Sequence, residues 1–236
     1  MLSRPVLKRA NKVEGESPFW ISFSDLMSAL MVLFLVVMAV TLIAVTKNVT
    51  AEEEAKIRRE KDIKEVMSLI KRESFKRNVQ VDDVTYKIDL GKVVGFDSGS
   101  YAIKPESARF LRDYIPVLLQ AKNSPEGQKW MRRIVVEGYT DTDGTYLYNL
   151  RLSQDRSRSV VCELFAVPTT GETPLSEAQL RQIQDLFLVG GYSFNTSVVQ
   201  DKAAARKVEL KIEFWGQDEA RPQKNDQLHV KEFGKC

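Results

Sequence analysis

The sequence predicts a single N-terminal transmembrane α-helix followed by one α/β sandwich domain. Three observations predict it: an apolar run over residues 19–45 that carries one acid, strand-like and helix-like apolar patterns that alternate after it, and a strongly amphipathic strand pattern near residue 210. The chain has 236 residues, 43% of them hydrophobic, and a net charge of +3. That is enough for an anchor, a linker, one modest core and a tail.

The apolar run reaches about 40 Å as a helix, more than the ~30 Å hydrocarbon core, so it spans with tilt or with its ends in the interfaces. Ser17 and Pro18 suit the N-cap and first helical position. Phe19 and Trp20 suit an interfacial anchor. A cleavable signal is the competing reading; the stretch is too long for one, and no Ala-x-Ala-type site follows. Arg4, Lys8, Arg9 and Lys12 before the span lean the topology toward a cytoplasmic N-terminus, although Lys47, Lys56, Arg58 and Arg59 follow closely. The expectation is a single-pass inner-membrane protein with a periplasmic C-terminal domain.

Asp25 lies inside the apolar run. An ionised carboxylate in hydrocarbon costs ~3 kcal/mol on insertion scales, so chains keep one there mainly for a partner helix or a water-filled path. Ser22 and Ser28 share its helical face at three-residue spacing and offer hydroxyls to hydrate it. When neutral, Asp25 tolerates apolar surroundings; when ionised it needs polar contacts, so each protonation change shifts the preferred packing of the helix. A helix-gluing hydrogen bond is the plainer alternative, and a sodium route stays open beside a proton route.

Residues 46–80 contain neither Gly nor Pro and are rich in charge, which predicts a helical linker; weak periodicity through Ile57, Val66, Met67, Leu69, Ile70 and Phe75 strengthens towards its end. The folded domain is expected over 81–216. Val84, Tyr86, Ile88 and Leu90 alternate with polar residues as one half-buried strand. A helix over 104–122 follows, starting at Pro105, with Pro116 predicting a kink or early stop. Residues 133–139 read as a short buried strand and 145–165 as a second helix, with Cys162 on its apolar side. Residues 175–187 have a helical pattern, 188–194 a strand through two glycines, and Val208, Leu210, Ile212 and Phe214 alternate as the clearest strand. Strands alternating with helices imply a sandwich with helices over one sheet face. The polar stretch 217–236, with Arg221-Pro222, is expected to be poorly ordered.

Several functions are disfavoured. Charges of both signs are interspersed, which argues against nucleic acid. The only histidine, His229, sits in the tail, so no Ser-His-Asp or Cys-His constellation has a base, and no phosphate-cradling loop exists. Asp141 and Asp143 are too close in sequence to flank a glycosidic bond. Asp143-Gly144 lacks the other ligands of a calcium loop. No cofactor and no metal is expected. The two cysteines cannot form a paired-Cys metal site; Cys162 reads as a small core residue, and Cys236 as a free thiol or an intermolecular disulfide.

The stretch from Glu137 to Gly144, with Gly138-Tyr139-Thr140-Asp141 at its centre, is followed by Asn149, Leu152-Ser153, Arg156 and finally Arg206-Lys207-Val208-Glu209. This order resembles the OmpA-like peptidoglycan-binding module. The resemblance implies that Asp141 and Arg156 hold the diaminopimelate of the cell-wall peptide, with Thr140, Asn149 and Arg206 shaping the pocket. An Asp with an Arg suits that task, because a zwitterionic end needs an anion for its ammonium and a forked cation for its carboxylate. Ala205 and Lys207 depart from the family pattern, as does the long segment 168–199.

Pro18-Phe19-Trp20, Asp25-Leu26-Met27, Leu30-Met31 and Phe34, joined to a wall-binding module, resemble the B subunits of ion-driven stators. That family includes flagellar MotB and, more similar still, the B subunits of Zorya anti-phage systems. The resemblance implies a homodimer of B chains inside a pentamer of A subunits of the MotA or ZorA type. It also implies that Asp25 is the proton-carrying carboxylate, that the domain grips peptidoglycan, and that a plug-like segment lies near residues 46–61. Flagellar rotation and passive tethering of the envelope are the alternatives to a role in defence.

Overall fold

The computed structural model describes residues 19–168, 172–194, 201–220, 232–234 and 236; of residues 19–22 only the backbone is described. The readings at Ser17, Pro18, the N-terminal basic residues and Arg221-Pro222 lie outside these residues. The chain divides into two compact units, Met1–Glu54 and Ala55–Cys236.

The first unit is helical. Helix α1 (Phe19–Phe75) begins here, and its most apolar window has a mean hydropathy of 2.8 with none of its residues buried. It is the one helix among the described residues long and apolar enough to cross a membrane. Ser28, Thr41, Thr46 and Thr50 each turn a hydroxyl back onto a carbonyl three or four residues earlier, which removes four polar groups from an otherwise apolar surface.

The second unit is a five-stranded sheet with helices packed on one face. Its strands are β1 (Gln80–Asp82), β2 (Lys87–Asp89), β3 (Met131–Gly138), β4 (Phe187–Gly191) and β5 (Val208–Phe214), in the order β1-β2-β5-β3-β4. Only β3 and β4 run parallel. The helices are α2 (Pro105–Asn123), α3 (Pro125–Trp130), α4 (Tyr146–Phe165), α5 (Glu177–Leu186) and the single turn α6 (Lys202–Ala205). The last strand lies centrally because its alternation supplies Val208, Leu210 and Ile212 to the core, opposite Val136 and Ile134 of β3. Leu111, Tyr114, Ile115 and Leu118 of α2 and Val160 and Leu164 of α4 close that core from above.

The sandwich expected from the patterns is present, with four differences in detail. The helix expected to serve as a linker over residues 46–80 enters the core: Ile63, Val66, Met67 and Ile70, at i, i+3, i+4, i+7, are all buried. Ser74 and Tyr114 complete the attachment with a buried hydroxyl pair at 2.6 Å. The compact unit therefore starts well before residue 81. The single strand expected from Val84 to Leu90 is instead a hairpin. The Asp82 carboxylate accepts hydrogen bonds from Val84 N at 2.8 Å and Thr85 Oγ1 at 2.7 Å, which closes a turn and leaves Val84 in solvent.

Pro116 does not end α2, which runs on to Asn123. A proline inside a helix costs ~3 kcal/mol; the buried side chains on both sides of it, each contributing roughly 1.5–3 kcal/mol, outweigh that. Finally, Cys162 is neither a free core thiol nor Cys236 an unpaired one: they form a disulfide with each other. The tail end is held there, with Phe233 against Phe165 at 5.0 Å and Arg181 over the Phe233 ring. Glu219 likewise pairs with Arg132 at 2.6 Å. Both described ends of this tail are thus packed, while residues 221–231 lie outside the described residues.

Helix α4 lies very close to β3 and β4. A Cβ at Gly138 would fall 1.9 Å from Ser153 O, and one at Gly191 only 2.4 Å from Gln154 Cγ. The glycines permit the approach that carries α4's polar face to the end of β3.

Candidate functional site

The described residues hold two polar arrangements worth a functional reading. The first is Asp25 on α1. It is exposed, and so are all its described neighbours up to Thr50. Ser28, expected to serve the acid, donates its hydroxyl to Ser24 O at 2.7 Å. The described residues thus give the carboxylate no polar partner, and an acid in an apolar segment is ordinarily matched by a partner helix or a water-filled path.

The second arrangement lies where β3, α4 and β5 meet. Beyond Gly138 the chain leaves the sheet as Tyr139, Thr140 and Asp141, anchored by Tyr139 N donating to Lys207 O and Thr140 N to Ser193 O, both at 3.0 Å. Gly144 at φ 100° turns the loop, and Thr145 caps α4 by accepting from Tyr148 N. Asn149 and Arg156, seven residues apart, then occupy one face of α4 over the loop. Arg206 comes from the residue pair preceding β5. Sheet order alone joins these segments, since β3 and β5 are neighbours.

All five residues expected at the wall pocket come together, in pairings that differ from the simplest expectation. Asp141 is buried and its Oδ2 pairs with Arg206 Nη1 at 2.9 Å, while Oδ1 accepts from Asp143 N at 3.1 Å. Arg156 is 0% exposed. Its Nε donates to Ser100 O at 2.9 Å, Nη1 to Tyr139 O at 2.8 Å and Nη2 to Asp97 O at 3.1 Å, and its guanidinium lies 5.1 Å from the Phe96 ring centre. Arg206 Nε donates to Phe96 O at 3.0 Å. The two guanidinium groups therefore bracket the strand-like segment 96–97.

The electrostatics favour an anion. Burial pushes Arg156 down to about 10, against the field of Asp141, and the nearby charge of Arg206 adds to the depression. Two arginines face one aspartate, while Asp143 is matched by Lys202 at 2.6 Å. One positive charge is left over. Thr140 Oγ1 and Asn149 Oδ1 are buried without a hydrogen-bond partner among the described residues, although Asn149 Nδ2 donates to Asp143 O at 2.9 Å. Buried oxygens rarely stay unpaired, so a group arriving from outside, such as an ammonium, is a natural partner for them. The cluster brings an acid, cations and unpaired acceptors together, which is the chemical complement of a zwitterionic amino-acid end.

The carbonyls of Phe96, Asp97 and Ser100 were not foreseen as part of the site. The signal was weak: only Gly95 and Gly99, the latter at φ 66°, mark this loop as one that brings backbone close to another group.

The chain is similar to known proteins. The chain matches the OmpA family over residues 95–168. It is 42% identical over 219 residues to the Zorya protein ZorB of Escherichia coli O139:H28, an alignment spanning 91% of this chain and 88% of that protein. Among solved structures, the periplasmic domain of Helicobacter pylori MotB is similar at 15% identity over 56% of this chain and 78% of that one, with a TM-score of 0.39. The cell wall anchor of the T6SS from Pseudomonas aeruginosa is similar at 20% identity over 62% and 95%, with a TM-score of 0.40.

Proposed function

Because this chain belongs to the ZorB family of Zorya proteins, we propose that it is the wall-anchored B subunit of a proton-driven rotary stator in the bacterial inner membrane, acting in anti-phage defence. Asp25 is the proton carrier. It is loaded and emptied while a ring of five A subunits rotates around two B chains that the wall holds still. Each proton crossing 100 mV supplies about 2.3 kcal/mol, enough to bias a step between packed states. The pocket at Asp141, Arg156, Thr140, Asn149 and Arg206 holds diaminopimelate of the wall peptide and gives the machine its fixed point.

The observation that carries this reading is an exposed acid inside an apolar helix with no polar partner among the described residues. A second one supports the topology. The Cys162–Cys236 disulfide belongs in an oxidising compartment, so the domain lies outside the cytoplasm and the N-terminus inside.

The test compares Asp25→Asn with wild type in cells carrying the partner subunit. Expected is loss of phage protection and of proton flux in vesicles, at unchanged protein level and unchanged wall binding. Full protection by Asp25→Asn would leave a passive tether as the better account, in which case Asp141→Ala alone would abolish function.

A further inference from the structure

We propose that a groove between the C-terminal end of α1 and the β1–β2 hairpin binds the glycan strand of the cell wall, a neutral chain of N-acetylated amino sugars. The choice of ligand rests on the wall-binding reading above, but the groove itself lies outside the cluster at Asp141.

The groove has a volume of about 800 Å³, within the ~300–1,000 Å³ usual for ligand clefts. Its floor is the outward face of the sheet at the β1 end. Gln80 and Asp82 of β1 stand opposite Asp89 and Lys87 of β2, and Asp89 stands opposite Glu209 of β5, so these five residues share the face turned away from buried Ile88. Phe75, the last residue of α1, and Lys71 one turn earlier form a side wall.

The lining selects against ions. Lys71 pairs with Asp83, Lys87 with Glu137 and Glu209, and Asp89 with Lys207. Asp82 is taken up in closing the hairpin turn. Each of these charges is matched within the chain, so neither an anionic lipid surface nor a nucleic acid is drawn here. What remains is neutral. Phe75 is 86% exposed, although Ile70 and Ser74 of the same helix are fully buried. The side-chain amides of Asn78 and Gln80 also line the groove and make no hydrogen bond among the described residues. A flat aromatic face beside free amides suits a sugar ring, whose C–H face packs on the aromatic while its hydroxyl and acetamido groups exchange hydrogen bonds with the amides.

The groove is also continuous with the Asp141 cluster. Through their pairings Gln80, Asp89 and Glu209 lie at the same end of the sheet as Gly138, beyond which Asp141 sits. Glu209 follows Arg206 by three residues, about 10 Å of extended chain. Lys207 between them pairs with Asp89 at 2.5 Å and Glu209 at 2.6 Å on the groove floor. Three residues of wall peptide also reach about 10 Å when extended. A wall fragment with its third residue at Asp141 thus brings the sugar that bears it to this end of the groove.

The experiment titrates full-length protein, in a detergent without a sugar headgroup, with two probes: the neutral tetramer of N-acetylglucosamine and the tripeptide L-Ala-γ-D-Glu-meso-diaminopimelate. Wild type is expected to bind both. Phe75→Ala should lose roughly 10-fold for the tetramer and Gln80→Ala about 3- to 10-fold, each with the tripeptide unchanged. Phe75→Tyr, which keeps the ring, should retain the tetramer. Asp141→Ala should show the reverse pattern, losing the tripeptide and keeping the tetramer. Phe75 and Gln80 are both exposed, so their variants should fold, and an unchanged Tm checks this. Wild type that binds the tripeptide but not the tetramer overturns the groove assignment and leaves the wall-binding reading standing. Tetramer binding that Phe75→Ala does not weaken overturns it as well. So does a lower mass of Phe75→Ala in sedimentation, which would make the groove a face between copies of this chain. Binding of neither probe refutes the wall-binding reading and the proposal together.

Discussion

The two halves of helix α1 are built from similar elements and treat them oppositely. From Phe23 to Thr50 every described side chain is exposed, apolar ones included, whereas Ile63, Val66, Met67 and Ile70 are buried against the sheet and α2. The first half keeps a carboxylate with no polar partner among the described residues; in the second unit Asp62 is occupied by Trp130 Nε1 at 2.8 Å and Lys129 at 3.0 Å. Those contacts, led by the Trp130 hydrogen bond, hold its carboxyl below the usual range. The difference teaches that the second half is completed within its own unit, whereas none of the described residues completes the first.

The widest separation of the two regions comes from Asp25→Asn, which should abolish proton flux and protection yet leave the melting of the C-terminal unit unmoved in calorimetry. Gly138→Ala should do the reverse. Its Cβ would collide with Ser153 O, so α4 has to leave β3; circular dichroism should show a destabilised or unfolded domain, with wall binding lost in proportion.

Truncation sharpens the comparison further. Ile70→Ala removes a fully buried side chain and should cost about 2–5 kcal/mol in chemical unfolding. The same experiment on Val37→Ala, in the exposed half, should stay within roughly 0.5 kcal/mol. Equal effects would mean that residues 60–70 are a mere spacer.

A further effect is electrostatic and belongs to the sheet face away from the helices. Glu137 is buried there, which by itself pushes its carboxyl up, but Lys87 at 2.7 Å and Tyr139 hold it below the ordinary 4.5. Its folded value is depressed, so its contribution is present above about 4.5 and is lost as pH falls through the lower, folded value. Glu137→Gln should therefore be less stable than wild type by about 1–3 kcal/mol in urea at pH 7, and the gap should shrink at pH 3.

Much of this molecule was legible from residue order. The span follows from length and hydropathy, the helices 105–123 and 146–165 from spacing, and β5 from strict alternation, because each signal lies within a dozen or so neighbours. The clustering of the five residues expected at the wall site was legible too, since they stand in motif order. Their pairings were not. That Asp141 meets Arg206 rather than Arg156 depends on β5 lying beside β3, and two of the three carbonyls that hold Arg156 come from a loop more than fifty residues away.

What the sequence by itself determined, then, is the membrane anchor with its acid, the alternation of strands and helices, and the roster of the pocket. Tertiary structure alone decided that residues 63–70 are core, that Asp82 breaks an alternating run into a hairpin, and that Cys162 finds Cys236 across 74 residues. The physical reason is range: periodicity and capping act between near neighbours, while ion pairs, disulfides and burial are settled by which distant surfaces the sheet order brings into contact.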